Sequence, residues 1–148
     1  MSRTERRVVV TGAAALSPLG HDWPSIRERL HARVNAVRYI PEWEVFDGLN
    51  TRLAAPAEDF ELPANYNRKT TRSMGKVAVM SVRATELALE AAGLLGHPVL
   101  RSGLAGVAYG SSSGSHEATA EFGRMLHEHT TEGISATTYL KMMSHTAP

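Results

Sequence analysis

Three consecutive β-branched residues, Val8-Val9-Val10, stand near the start of the chain, followed by Thr11-Gly12-Ala13-Ala14-Ala15-Leu16-Ser17-Pro18-Leu19-Gly20. An apolar run without alternation predicts a strand covered on both faces, the kind found inside a parallel sheet sandwiched by helices. Gly12 predicts a sharp turn at positive φ, where a side chain would be costly. Ser17-Pro18 and Gly20 predict a loop leading to a helix. A fold containing such a strand needs layers above and below it, which restricts the chain to a layered α/β arrangement.

The rest of the chain supplies candidates for those layers. Asp22-Trp23-Pro24-Ser25 predicts a helix start, with Asp22 as the cap and Pro24 tolerated in the first turn. That helix should run to about Arg33, with Ile26 and Leu30 on one face. Residues 34–66 carry Pro41, Gly48, Pro56 and Pro63 and predict an irregular excursion, held by Trp43, Phe46 and Phe60. So long a connection is usually a functional cap or part of an interface. A long helix is predicted over Thr71–Ala92, alanine-rich and apolar round most of its circumference, and therefore buried. Gly93 is its predicted left-handed cap. Leu104–Tyr109 predicts a second strand, Glu117–His129 a third helix capped by Ser115, and Thr137 or Thr138 the opening of a fourth. Two strands are too few for a parallel sheet, so these elements read as part of a larger fold.

At 148 residues the chain is long enough for one domain with a core. Its formal charge of +1 argues against a dedicated nucleic-acid binder. It contains no cysteine, hence no disulfide framework and no thiolate metal site. No apolar run reaches the roughly 20 residues that span a bilayer, and the charged N-terminus lacks a signal-type segment. A cytoplasmic protein is the expectation.

Three motifs invite chemistry. Gly110-Ser111-Ser112-Ser113-Gly114 matches G-x-S-x-G, with Ser112 as a hydrolase nucleophile and Glu128 or Glu132 followed by His145 in the required order. No further strands carry those partners to a sheet edge, so a Ser/Gly strand-to-helix turn beside a pocket is the simpler reading. The same turn offers backbone N–H groups to phosphate but lacks a Walker lysine, and Ala14 replaces the second glycine of a dinucleotide fingerprint. The seven histidines show no metal-ligand spacing and read as surface residues, so no metal is expected. Arg68, Lys69 and Arg72 cluster at the start of the long helix, where cations oppose the helix dipole. A cluster so placed suits an acidic partner.

The stretches Arg7–Gly20, Arg68-Lys69-Thr70-Thr71-Arg72-Ser73-Met74 and Ala108-Tyr109-Gly110-Ser111-Ser112-Ser113-Gly114-Ser115 together resemble the N-terminal portion of the β-ketoacyl-[acyl-carrier-protein] synthases, and the resemblance runs over essentially residues 1–148. It implies the N-terminal part of a thiolase-like layered α-β-α-β-α fold, incomplete in this chain. It implies an acyltransferase that performs decarboxylative Claisen condensation of an acyl thioester with malonyl-carrier protein, in fatty-acid or polyene biosynthesis. No cofactor is implied beyond the phosphopantetheine arm of acyl carrier protein, which holds the substrates.

By the same resemblance, Arg68, Lys69 and Arg72 match a carrier-protein docking site, with Ser73 where many relatives carry another lysine. Ser113 matches a tunnel position often filled by a larger apolar gate. Ile134-Ser135-Ala136-Thr137-Thr138 matches a segment that closes the partner's tunnel across a dimer, which makes Thr137 and Thr138 substrate-tunnel residues. Residues 139–146 look like the aryl-polyene-type subgroup. The family's catalytic Cys and two His match no residue here, so no catalytic residue is assigned and this chain alone is expected to be inactive. A homodimer or a heterodimer with a related subunit is implied. The alternative is a non-catalytic partner resembling the chain-length-factor subunits.

Overall fold

The computed structural model describes residues 7–57 and 60–144. They form two compact units: one comprises the residues up to Phe60 together with Leu87–Gly93, the other Glu61–Glu86 and the residues from Leu94 onward.

In the first unit, residues 7–16 take no regular secondary structure and pair with no strand among the described residues, and Val8 and Val10 are 95% and 88% exposed. The predicted first strand is therefore not part of a sheet here. Extended backbone becomes a strand only when another strand takes up its N–H and C=O groups. Gly12 is required, but for a different reason from the predicted one. It is not at positive φ; a Cβ there would lie 2.5 Å from the Ala88 carbonyl oxygen and 2.7 Å from the Ala92 nitrogen. Ser17 and Gly20 close a tight turn through reciprocal backbone hydrogen bonds of 2.9 and 3.0 Å.

Helix α1 follows, Trp23–His31, with Asp22 capping it by accepting from the Ser25 N–H at 2.8 Å and its hydroxyl at 2.7 Å. Those two bonds, the backbone one first, hold the Asp22 carboxyl below the usual carboxylate range. The helix ends two residues before the predicted Arg33, which takes a left-handed φ of 55°. Ile26 is buried, whereas Leu30 on the same face is exposed.

The excursion holds more structure than its prolines suggest. Strands β1 (Arg38–Tyr39) and β2 (Leu53–Ala54) pair antiparallel, Arg38 opposite Ala54 and Tyr39 opposite Leu53. A 3₁₀ turn at Pro41–Val45 lies between them, and Arg52 Nε reaches the Glu44 carboxylate at 3.0 Å. Of its three predicted anchors, Trp43 is half-buried, Phe60 and the His21 ring meet in a T-shaped arrangement at a centroid distance of 6.1 Å, and Phe46 is exposed.

In the second unit, the helix predicted over Thr71–Ala92 is two helices. Helix α2 is one turn, Arg68–Thr71; helix α3 is Lys76–Ala91. The break falls before Gly75, whose missing Cβ would stand 2.5 Å from the Ser115 Cβ. A side chain at that point has no room, and local propensity carries no trace of a contact forty residues away in sequence. Along α3 only Ala78 is fully buried and the other apolar residues are mostly half-buried, so the predicted burial is not reached among the described residues. Gly93, at φ 67°, provides the predicted left-handed end in the first unit.

Residues 104–109 also lack a strand partner among the described residues, with Leu104 and Val107 strongly exposed. Helix α4, His116–Glu128, has the predicted Ser115 cap and ends at His129 with φ 55°. Helix α5, Ala136–Met142, opens one to two residues before the predicted Thr137 or Thr138. Ser135 caps it, because its side chain and that of Thr138 bond each other's backbone N–H. Helices α4 and α5 pack against each other.

Candidate functional site

The second unit holds every candidate site residue. Its centre is a convergence of three chain segments: the start of α3, the loop before α4, and the end of α5. Ser115 N–H donates to the Lys141 carbonyl at 2.7 Å. Gly114 is pressed against the backbone of Lys141 and Met142, so closely that a Cβ would collide with both carbonyls. Together with Gly75, it lets three backbones meet where larger residues would hold them apart.

Above this convergence is a cleft of about 270 Å³ lined by Gly75, Lys76, Ser115, Glu117, Glu121, Thr138 and Lys141, among others. Each carboxylate in it is held by a buried hydroxyl. Ser115 Oγ donates to Glu117 Oε2 at 2.6 Å, and Thr138 Oγ1 donates to Glu121 Oε2 at 3.3 Å. The Ser115 hydroxyl keeps the Glu117 carboxyl below the usual carboxylate range, with smaller help from its own backbone N–H, His116 and Lys76. Sequence reasoning did not single out this cleft. The i, i+4 spacing of Glu117 and Glu121 on one helical face was its visible part; their pairing with α5 depends on tertiary packing.

The loop entering the convergence is tied down along its length. Tyr109 Oη receives the Ser81 hydroxyl from α3 at 3.3 Å. Ser111 Oγ donates to the Ser113 carbonyl at 2.7 Å and accepts from the Ser113 N–H at 3.4 Å. Ser113 is half-buried, and its own hydroxyl has no partner among the described residues. Ser112 is exposed, and no described histidine bonds it; the preceding segment is not a paired strand, and His145 lies outside the described residues. The nucleophile-elbow geometry is therefore absent from what is described.

Thr138 is buried in the α5 cap and lines the cleft, while Thr137 is half-buried and bonds Ser135 Oγ at 2.7 Å. The cleft takes in Thr138 but neither Ser113 nor Thr137. The three predicted tunnel residues thus sit on two segments, the loop before α4 and helix α5, and the cleft takes in one of them.

Arg68, Lys69 and Arg72 are all exposed at α2, and none pairs with a carboxylate among the described residues. Asn67 caps this turn, its side chain accepting from the Lys69 and Thr70 N–H groups at 3.0 and 3.2 Å. Just before it, Tyr66 has its hydroxyl shut away from solvent without a well-aligned hydrogen bond. Burial, and then the neighbouring Glu86 carboxylate, pushes this phenol up to about 12. Glu86 is itself paired with Arg83 at 3.3 Å. Among the described residues no three His, Cys, Asp or Glu side chains cluster to hold a metal ion, and no helix is long and apolar enough to cross a membrane.

Residues 5–147 match the family model of the β-ketoacyl synthase N-terminal domain. No curated protein matches the chain. Among solved structures, a β-ketoacyl synthase from Burkholderia phymatum STM815 is 47% identical, with a TM-score of 0.88 over 97% of this chain. The chain spans 35% of the length of that relative.

Proposed function

Since the chain belongs to the β-ketoacyl synthase family and corresponds to its N-terminal domain, we propose that it is the N-terminal part of an enzyme that elongates acyl chains on acyl carrier protein. In that reaction an acyl group waits as a thioester, malonyl-carrier protein loses CO₂, and the resulting carbanion attacks the thioester carbonyl and displaces the thiolate. The chain has no cysteine, so the thioester nucleophile is not among its residues. Its share of the work is to receive the carrier protein and to shape the tunnel. The observation that carries this reading is the 47% identity at a TM-score of 0.88 over nearly the whole chain.

Arg68, Lys69 and Arg72 fit the docking role. They form an exposed cationic group, unpaired among the described residues, on a turn held by Asn67. An acidic carrier protein would supply the missing counter-charges. Ser113, Thr137 and Thr138 are assigned to the tunnel, with Ser113 as a small polar wall in place of a large apolar gate. The substrates arrive on phosphopantetheine, and no other cofactor is invoked. A cytoplasmic dimer, of two like subunits or with a related one, fits the assignment of Thr137 and Thr138 to a partner's tunnel.

The test is a steady-state titration of the whole gene product with acyl carrier protein. Reversing Arg68, Lys69 and Arg72 to Glu should raise the carrier-protein KM about tenfold or more, since exposed pairs contribute about 0.2–1 kcal/mol each. It should also abolish the rise of KM with added salt. An unchanged KM and salt response would remove these residues from docking.

A further inference from the structure

We propose that Ser111 is a positioning residue for acyl selectivity: its hydroxyl fixes the backbone of Ser113, so the loop offers the acyl chain a wall that does not yield. The inference rests on the assignment of Ser113 to the tunnel.

The geometry is specific to this loop. One side-chain oxygen, Ser111 Oγ, serves both backbone groups of the residue two positions on, giving to its carbonyl at 2.7 Å and receiving from its N–H at 3.4 Å. That closes residues 111–113 into a ring, an alternative to strand pairing that serine is well suited to provide. The ring is anchored on both flanks. On one side Tyr109 is tied to α3 through Ser81, whose hydroxyl also bonds the Val77 carbonyl at 2.8 Å. On the other, Gly114 and Ser115 are locked against the last turn of α5. With both flanks held and the interior bridged, Ser113 cannot swing aside without breaking a hydrogen bond in a partly buried place, where an unpaired group is costly.

Chain-length selection needs such stiffness. A small side chain on a pliant loop admits many chain lengths, because the wall moves with whatever enters. The same side chain on a fixed loop sets a definite depth. With the Ser113 backbone groups already satisfied, the remaining hydrogen-bonding capacity is the Ser113 hydroxyl.

The experiment compares kcat/KM for loading a series of saturated acyl-carrier substrates of increasing length, using the whole gene product. Ser111→Ala should reduce the discrimination between the best and the longest chains about three- to tenfold, the effect of one net hydrogen bond. It should leave the malonyl-carrier KM unchanged, and Ser111→Thr, which keeps the hydroxyl, should restore selectivity. Amide exchange at Ser113 should quicken in Ser111→Ala. If the alanine variant does not fold, Ser111→Cys, a weaker hydrogen-bonding partner of similar size, takes its place. Ser113→Phe, the comparator, should shift preference to shorter chains.

If Ser113→Phe shifts the preference but Ser111→Ala does not, the positioning role is overturned while the tunnel assignment stands. If Ser111→Ala slows all chain lengths equally, the role is likewise overturned. If Ser113→Phe shifts nothing, the tunnel assignment fails and the inference fails with it.

Discussion

Residues 7–23 and residues 104–116 follow one plan: an apolar run, a glycine turn, and a capped helix start. In both, the helix cap is formed, by Asp22 on α1 and by Ser115 on α4. In both, the apolar run is exposed and unpaired among the described residues. They differ in the turn between. After Tyr109 the loop is bridged by Ser111 and clamped by Gly114 onto α5. After Val10 the turn is held by Gly12 against the backbone of Ala88 and Ala92, and then by the Ser17–Gly20 bridge. Caps and bridges are short-range and close within a few residues. A strand needs a partner from elsewhere, and valine content alone does not provide one.

The largest expected effect separates glycines that two backbones approach from a glycine in open space. Gly114→Ala and Gly12→Ala should each destabilise the whole gene product by about 1–3 kcal/mol, because the new methyl meets backbone atoms that cannot rotate away. Gly110→Ala meets nothing within 4 Å and should leave the urea midpoint unchanged or slightly raised. Equal effects at Gly114 and Gly110 would mean that the convergence with α5 is not tight.

The next effect tests the cap of the second stretch. Ser115→Ala should cost about 1 kcal/mol of stability and return the Glu117 carboxyl toward its usual range, measurable by NMR titration of Glu117. The sign follows from a lowered folded-state value. The Ser115–Glu117 contribution is present above the ordinary carboxylate range and is lost as pH falls through the depressed value of the folded state. Glu117 titrating identically in both proteins would place the cause elsewhere.

The smallest effect is spectroscopic. Tyr66 should ionise near pH 12, and Tyr66→Phe should delete that late phenolate step. Because its folded-state value is raised, stability tied to the neutral phenol is present below pH 10 and drains away between there and about 12. No late step in the wild type would show that the hydroxyl is open to water.

What was legible in the residues follows the same division. Asp22, Ser115 and Gly93 were readable because capping chemistry is local. The cationic group Arg68, Lys69 and Arg72 stands out in the residues themselves, and the structure leaves it exposed, on the one-turn α2 and its C-cap rather than at the start of the long helix. The break before Gly75 and the Glu117–Glu121 cleft were not, because each depends on a segment remote in sequence: Ser115 for the first, Thr138 and Lys141 for the second. The excursion shows the opposite limit. Its prolines announced irregularity, yet the β1–β2 pairing needs only two residues on each strand.

The most direct measurement is condensation itself. The whole gene product is incubated with acyl-carrier and malonyl-carrier protein, and the products are read by intact-protein mass spectrometry and CO₂ release. A β-ketoacyl-carrier product formed with one CO₂ per turnover is the predicted result. A folded protein that binds the carrier yet forms no ketoacyl product would contradict the account and favour a non-catalytic partner subunit.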